Sequence, residues 1–171
     1  TLGNVESMTS AICCEIELQK SFFTDQVQTI YFGGGTPSLI NSSMIGQILS
    51  KINENFDISH SAEITLESNP DDISSGKLSE WEKAGINRLS LGIQTFDNNQ
   101  LKILNRSHSS IDAEKAVNLI LNSNFENFTL DLIYGLPDQG LDSWRKNLEN
   151  VIEFNIPHIS SCAVQGNQLV C

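Results

Sequence analysis

The stretch Thr29-Ile-Tyr-Phe-Gly-Gly-Gly-Thr-Pro37 joins an apolar run to three consecutive glycines. Its β-branched and aromatic first half predicts a short strand, and the glycines allow the chain to turn sharply where the strand ends. Apolar residues spaced three or four apart on either side predict amphipathic helices. They are Val5, Met8, Ile12 and Ile16 before the stretch, and Ile45, Ile48, Leu49, Ile52 and Phe56 after it. A strand between two helices is the repeating unit of a parallel α/β sheet.

The same alternation continues along the chain. Further strands are predicted at residues 64–66, 89–93, 128–133 and 158–161. Helical patterns lie between them, with Ser42 or Ser43 placed to cap the second helix and Gly85 placed to end the third. Five strands alternating with five connecting helical regions predict an α/β fold with right-handed crossovers. Either an open doubly wound sheet or part of a (β/α) barrel fits this pattern.

Composition narrows the class of protein. The 171 residues give room for one domain, and no change of composition marks an internal boundary. The 21 acidic residues outnumber the 10 basic residues, which disfavours nucleic-acid and anionic-membrane binders because both need a basic face. No apolar run is long enough to span a membrane. With four cysteines and no leader peptide, the sequence predicts a soluble, reduced, cytoplasmic domain.

Glycines or polar residues mark the ends of four consecutive predicted strands. The glycine run ends the first strand, Glu67 ends the second, Gln94 ends the third and Asp131 lies in the fourth. The carboxyl ends of parallel strands meet at one rim, where α/β proteins bind ligands. This set therefore predicts a site for a polar small molecule. The glycine run is neither the GxGxxG dinucleotide motif nor a P-loop.

Each of these residues also has a purely structural interpretation. The glycines could form only a tight turn, and Glu67 and Asp131 could cap helices or accept hydrogen bonds at strand ends. Gln94 could satisfy loop backbone, and Arg106 could be a solvated charge at a helix end. Their convergence on one rim favours the binding interpretation.

Five blocks occur in the order and spacing of one known family. They are Tyr31-Phe-Gly-Gly-Gly-Thr-Pro-Ser-Leu39, Ile64-Thr-Leu-Glu-Ser-Asn-Pro70, Asn87-Arg-Leu-Ser-Leu-Gly-Ile-Gln-Thr-Phe96, Leu104-Asn-Arg-Ser-His108 and Leu130-Asp-Leu-Ile-Tyr-Gly-Leu-Pro137. Residues 1–161 resemble the radical S-adenosylmethionine (SAM) proteins of the oxygen-independent coproporphyrinogen III oxidase group. Within that group, the first three blocks look more like the HemW heme-chaperone branch than the oxidase branch.

The resemblance implies a partial TIM-like (β/α)6 barrel at residues 1–161, without its first strand and cluster loop, and a divergent end at residues 162–171. It also implies that SAM binds through residues matching the family's contacts. These are Gly34, Gly35, Thr36, Glu67, Gln94, Arg106 and Asp131. Carboxylates and an amide suit the ammonium and ribose hydroxyls of SAM, and an arginine suits its carboxylate. No residue is assigned a catalytic role.

The cysteines depart from the family pattern. A [4Fe-4S] cluster in this family binds three cysteines of a CxxxCxxC motif, and the sequence has no such motif. Cys13 and Cys14 are adjacent in the first helical pattern, whereas Cys162 and Cys171 are remote from it. We therefore assign no metal ligand and expect these cysteines to be structural or incidental, behaving as free thiols. The expectation is a partial sequence whose cluster loop precedes Thr1 and whose end follows a shifted reading frame.

For the complete protein the resemblance implies a heme chaperone that binds SAM, a [4Fe-4S] cluster and heme, and delivers heme to acceptor proteins. One alternative is an oxygen-independent coproporphyrinogen III oxidase, which decarboxylates porphyrinogen propionates in heme biosynthesis. Another is an inert, truncated SAM-binding scaffold. His60, His108 and His158 are interpreted as structural rather than as heme ligands. An unpaired edge at residues 29–32 predicts poor solubility of the isolated chain.

Overall fold

The computed structural model describes residues 4–22, 24–165 and 168–170. Helices and strands alternate along these residues. In chain order they are α1 (Val5–Leu18), β1 (Val27–Phe32), α2 (Ser42–Asn55), β2 (Ile58–Ser68), α3 (Ser75–Ala84), β3 (Arg88–Gln94), α4 (Asn98–Ile103), α5 (Ser110–Leu121), β4 (Phe128–Tyr134), α6 (Leu141–Glu153), β5 (His158–Gln165) and β6 (Gln168–Val170).

The strands form one sheet whose spatial order is the chain order, β1-β2-β3-β4-β5-β6. The pairings from β1 to β5 are parallel, and β6 pairs antiparallel with β5. A doubly wound sheet reverses its strand order at a switch point, whereas a (β/α) barrel adds each strand beside the last. The sequential order therefore selects the barrel, and the fold is the α/β partial barrel predicted from the sequence.

The two faces of the sheet have opposite character because side chains alternate along a strand. On β3, Leu89, Leu91 and Ile93 are fully buried against the helices, and Leu66 and Leu130 continue this layer on the neighbouring strands. Helices α2, α3 and α5 complete the core with the fully buried Ile45, Trp81, Val117 and Ile120. The other face of β3 carries Arg88, Ser90, Gly92 and Gln94. We call these the helix-covered face and the open face.

Local signals at helix ends are partly as predicted. Gly85 ends α3 in the left-handed conformation with φ 105°, as the sequence predicts. The predicted cap of α2 is wrong: Ser42 is already the first helical residue, and the cap is Asn41, whose side chain accepts a hydrogen bond from the Ser43 backbone N–H at 3.1 Å. An asparagine at this position satisfies one of the unpaired donors of the first turn.

Strand β1 lies at the edge of the sheet. Within the described ranges it pairs with β2 alone, so its outer backbone groups have no strand partner. This agrees with the edge expected at residues 29–32, and the poor solubility inferred from it stays a prediction. None of the helices in the described part of the chain is long and apolar enough to cross a membrane.

Candidate functional site

A cleft of about 200 Å³ lies on the open face at the carboxyl ends of β1 to β4. It brings together six of the residues predicted from the sequence, which come from four strand ends and the segment after α4. They are Gly35, Thr36, Glu67, Gln94, Arg106 and Asp131. The cleft is also lined by Pro37, Ser68, Asn69, Ser90 and Gly92.

The glycine segment after β1 forms one wall through its backbone. Gly34 and Gly35 have φ values of +83° and +67°, which favour glycine. A Cβ on Gly33 would lie 3.0 Å from Glu67 Oε1, so a side chain there would crowd the carboxylate. Gly34 is not among the lining residues of the cleft; its N–H instead donates to Glu67 Oε2 at 3.0 Å. Gly34 thus holds a carboxylate of the cleft, and its predicted contact with SAM stays a prediction.

Glu67 is held by both of its oxygens. Besides the Gly34 N–H, the Tyr31 hydroxyl donates to Glu67 Oε1 at 3.0 Å. Burial is the main reason that the pKa of Tyr31 lies above its usual value, and the nearby Glu67 carboxylate raises it further. Tyr31 thus remains a neutral donor at neutral pH, and it fixes the direction of the carboxylate.

Asp131 is the most desolvated carboxyl of the cleft. Burial raises its pKa above the usual value, and the negative charge of Glu67 raises it further. Ser90 Oγ donates to Asp131 Oδ2 at 2.6 Å, which lowers the pKa but does not offset burial. Two neighbouring carboxyl groups, Glu67 and Asp131, make this part of the cleft favourable for a cationic group.

Gln94 has a backbone conformation that is rare for a residue with a side chain. Its φ is +69°, and the Thr95 N–H donates to the Ile93 carbonyl at 2.9 Å, closing a tight turn around it. Such a conformation costs of order 1 kcal/mol or more. A Cβ on Gly92 would lie 2.7 Å from Gln94 Nε2, so the amide occupies the space that a glycine leaves open.

Arg106 supplies the positive group of the cleft. Asn105 has φ +52° at the end of α4, and the Arg106 N–H then bonds to the Leu101 carbonyl at 2.9 Å, which turns the chain back towards the sheet. Arg106 Nη1 donates to Asn69 Oδ1 at 3.2 Å. Burial lowers the pKa of the guanidinium, which remains charged because arginine titrates far above neutral pH. The group keeps free donors for a carboxylate.

With this geometry in view, the comparison with known proteins decides the family. A family model described as the radical SAM superfamily matches residues 15–151. The chain belongs to the radical SAM superfamily. Within the superfamily it falls near the coproporphyrinogen III oxidase-like group and the proteins named HemW.

Two relatives of this chain carry the name "Heme chaperone HemW". The protein of Lactococcus lactis is 37% identical over 145 residues, which cover 85% of this chain and 38% of that relative. The protein of Escherichia coli is 38% identical over 135 residues, or 79% of this chain and 36% of the relative. The chain therefore spans little more than a third of the length of these relatives.

A solved structure supports the same grouping. The radical SAM enzyme coproporphyrinogen III oxidase (HemN) from Escherichia coli superposes with a TM-score of 0.84 at 29% sequence identity. The match covers 95% of this chain and 38% of that chain. The superposition confirms the partial radical SAM barrel, in agreement with the strand order.

The donor set of the cleft fits SAM. Carboxylates face a region where a sulfonium or ammonium group would be stabilised, and a guanidinium with free donors lies in the same cleft. The described residues do not fit a [4Fe-4S] cluster: none of them form a group of three histidines, cysteines or carboxylates able to hold a metal ion. Cys13 and Cys14 are free thiols on α1. We therefore assign no cluster ligand to the described residues.

The expectation of a free thiol is wrong for Cys162, which is disulfide-bonded. Sequence reasoning also missed the local setting: β6, which it did not predict, pairs antiparallel with β5, the strand that contains Cys162. Cys171 lies outside the described residues. The predicted fragment boundaries at residues 161 and 162 stay a prediction.

Two of the histidines are held by hydrogen bonds within the fold. His108 is buried, and its Nε2 lies 3.2 Å from the Ile93 carbonyl, while burial lowers its pKa. His158 Nδ1 lies 2.8 Å from Thr129 Oγ1. Both contacts agree with the structural interpretation made from the sequence.

Sequence reasoning missed five residues of the site. They are Tyr31, which holds Glu67, and the lining residues Ser68, Asn69, Ser90 and Gly92. A signal for two of them is present, because Ser90 and Gly92 alternate with leucines and an isoleucine in β3 and therefore share the face of Gln94. Asn69 was interpreted only as a strand stop. The contact between Tyr31 and Glu67 joins residues 36 positions apart, and no local pattern shows it.

Proposed function

We propose that this chain is the SAM-binding part of a HemW-like heme chaperone. The observation that carries the proposal is the convergence of Gly35, Thr36, Glu67, Gln94, Arg106 and Asp131 in one cleft. The similarity to two proteins named heme chaperone HemW supports the chaperone assignment. Heme binding and delivery of heme to acceptor proteins belong to the complete protein and are part of the proposal. The cytoplasmic location inferred from the sequence stays a prediction.

The charged residues of the cleft would bind groups of opposite charge on SAM. Glu67 and Asp131 would stabilise its cationic groups, and Arg106 would bind its carboxylate. The Gln94 amide and the backbone beside Gly35 would accept and donate the remaining hydrogen bonds. Bound SAM would supply the reactive sulfonium group of the family. The chain's own contribution is to orient this group and to keep its charge matched in a partly desolvated cleft.

Calorimetric titration of the chain with SAM tests the proposal. We expect saturable binding that Arg106→Ala weakens by about tenfold or more, because a charge-assisted pair is lost. Arg145→Ala is the matched control, since Arg145 is exposed on α6 and pairs there with Asp142, three residues away. Equal affinity in both variants, or no binding by the wild-type chain, would contradict the proposal.

S-adenosylhomocysteine sharpens the test because it lacks the positive charge of the sulfonium. Two carboxylates in the cleft predict tighter binding of SAM than of S-adenosylhomocysteine. Glu67→Gln should reduce this preference and leave affinity for S-adenosylhomocysteine nearly unchanged. If Glu67→Gln leaves the preference for SAM over S-adenosylhomocysteine unchanged, the sulfonium does not lie near Glu67.

The second candidate is coproporphyrinogen III oxidation, favoured by the structural match to HemN. The two functions differ in the complete protein: a chaperone binds heme without consuming porphyrinogen, whereas an oxidase converts the porphyrinogen. Anaerobic incubation of the complete protein with SAM and coproporphyrinogen III separates them. Detectable decarboxylation of propionates would favour the oxidase over our proposal.

The cluster is a proposal for the complete protein as well. We propose that its cysteine ligands lie outside residues 4–22, 24–165 and 168–170, because those residues form no suitable group. Anaerobic reconstitution of this chain with iron and sulfide should give no stable [4Fe-4S] absorption. In that case the isolated chain is the inert SAM-binding scaffold considered from the sequence, and a stable three-cysteine cluster would overturn this part of the proposal.

A further inference from the structure

A buried cluster of polar side chains lies behind the cleft, outside the residues that line it. It consists of Thr95, Gln100, Gln139, Ser143 and Asn147, which connect the end of β3 with α4, the segment before α6, and α6 itself. Thr95, Gln100 and Asn147 are buried. Apolar side chains of similar volume would pack there without the cost of desolvating amides and hydroxyls.

Thr95 is the centre of this cluster. Its hydroxyl donates to Gln100 Oε1 at 2.7 Å and accepts from Asn147 Nδ2 at 3.1 Å. It also accepts from the Asp97 backbone N–H at 3.1 Å, while Asn147 Oδ1 accepts from the Phe96 backbone N–H at 2.8 Å. The three residues after Gln94 are therefore fixed to α6 and α4 by side-chain contacts rather than by a strand.

Gln94 is the residue that needs such support. It precedes this fixed segment directly, and its positive φ and the tight turn around it are unfavourable for a residue with a side chain. The pairing of β3 with β4 also shifts register between Leu91 and Gln94. Unfavourable backbone conformations persist where surrounding contacts over-determine them, which is what Thr95 and Asn147 do here.

We infer that Thr95 and Asn147 are positioning residues that hold the Gln94 amide in the cleft. Neither residue lines the cleft, so α6 controls ligand binding through the backbone of residues 93–97. The Gln94 amide lies over Gly92, and the position of that amide depends on the turn that Thr95 and Asn147 maintain. This inference rests on the proposed function for its binding readout, but it also makes a prediction for the ligand-free protein.

Thr95→Val tests the inference because it removes the hydroxyl at nearly constant volume, and Thr95→Ser restores the hydroxyl. We expect Thr95→Val to weaken SAM binding by about tenfold and Thr95→Ser to bind nearly as the wild type does. Asn147→Leu, which removes the contacts from the α6 side, is a second variant and should weaken binding similarly. Val151→Ala, one turn further along α6, should lower the melting temperature without changing the dissociation constant.

A double-mutant cycle separates positioning from general destabilisation. In a Gln94→Ala background, Thr95→Val should cause no further loss of SAM affinity, because the amide that it positions is absent. Independent, additive losses would overturn the inference. So would a Thr95→Val protein with lowered melting temperature and unchanged affinity.

The ligand-free readout keeps the inference distinct from the proposed function. In ¹⁵N-correlation NMR spectra, the side-chain amide signal of Gln94 should shift or broaden in Thr95→Val and Asn147→Leu and stay in place in Val151→Ala. If the wild-type chain binds no SAM, the proposed function fails while this signal still decides the inference. An unmoved Gln94 signal in both variants would overturn it.

Discussion

The two faces of β3 show how one strand serves both stability and binding. Leu89, Leu91 and Ile93 are fully buried beneath helices, whereas the alternating Ser90, Gly92 and Gln94 line the cleft. The leucines and the isoleucine are held by apolar packing. On the other face, Ser90 forms a hydrogen bond with Asp131, and Gly92 leaves space for the Gln94 amide. A substitution on one face should therefore alter mainly the free energy of unfolding, and one on the other face mainly the affinity for ligand.

The same division holds on the neighbouring strands. On β2, Leu66 is fully buried while the next residue, Glu67, faces the cleft. On β4, Leu130 and Leu132 flank Asp131 in the same way. The barrel therefore keeps its polar, partly desolvated groups on a face opposite its core, where the cost of burying them is limited to the cleft.

On the helix-covered face, Leu91→Ala should have a large effect on stability. Leu91 is fully buried in the core, and removing such a side chain costs about 2–5 kcal/mol. Urea denaturation followed by circular dichroism would measure the loss. SAM affinity of the folded fraction should remain close to that of the wild type, and a selective loss of affinity would show that the two faces are not independent.

On the open face, Gly92→Ala should affect binding and leave stability nearly unchanged. The added Cβ would lie 2.7 Å from Gln94 Nε2 and displace the amide, weakening SAM binding by about tenfold. Gly46→Ala is the matched control, because Gly46 lies in α2 with open space around it. That control should add about 0.5–1 kcal/mol of stability and leave affinity unchanged. Normal SAM affinity in Gly92→Ala would be evidence against a role for the Gln94 amide.

Asp131→Asn, on the open face, should change how the free energy of unfolding depends on pH. Burial raises the pKa of Asp131 above 3.8, so the native state binds this proton more tightly than the unfolded chain does. The carboxyl therefore stabilises the folded state at pH values below its usual pKa. This stabilisation is lost as the pH rises through the raised pKa of the native state. The variant should therefore gain stability relative to the wild type as pH rises from about 4 to 7, while its SAM affinity falls.

Denaturation curves at several pH values measure this difference for Asp131→Asn. Asp142→Asn is a suitable control, because Asp142 is an exposed carboxylate on α6. A difference between Asp131→Asn and the wild type that does not change with pH would contradict the raised pKa of this carboxyl.

Tyr31→Phe should give a small effect on binding. The variant removes one hydrogen bond to Glu67, but the Gly34 N–H still holds the other oxygen, so SAM affinity should fall only about two- to threefold. Tyr134→Phe is the control, since its ring packs on Trp144 away from the cleft. Calorimetry at one pH suffices, and a loss beyond about tenfold would mean that Tyr31 contacts the ligand itself.

Much of this architecture could be predicted from local patterns, because apolar periodicity and strand ends are properties of short segments. Strand β2 shows the limit. Only residues 64–66 are apolar enough to predict a strand, yet β2 begins at Ile58, where Val27 pairs with it. The Asn87 side chain bridges the Ile64 N–H and the Ala62 carbonyl at 2.7 and 2.8 Å, a contact that only the folded chain creates.

The site was predictable where a polar residue ends or interrupts an apolar strand pattern, as for Glu67, Gln94 and Asp131. It was not predictable where contacts join distant segments, as for Thr95 and Asn147, which lie 52 positions apart. The proposal that the ligand is SAM came from the resemblance to a family, since carboxylates, an amide and an arginine alone suit many polar molecules.

Titration of the ¹⁵N-labelled chain with SAM, followed by backbone amide NMR signals, tests most directly whether the open face binds the cofactor. The amide signals of Gly35, Gly92, Gln94 and Asp131 should move in a saturable way. The amide signals of Val117 and Ile120, on helix α5 that packs against the helix-covered face, should stay in place. Saturable shifts centred on the helix-covered face, or no shifts at all, would contradict the assignment of the cleft to SAM.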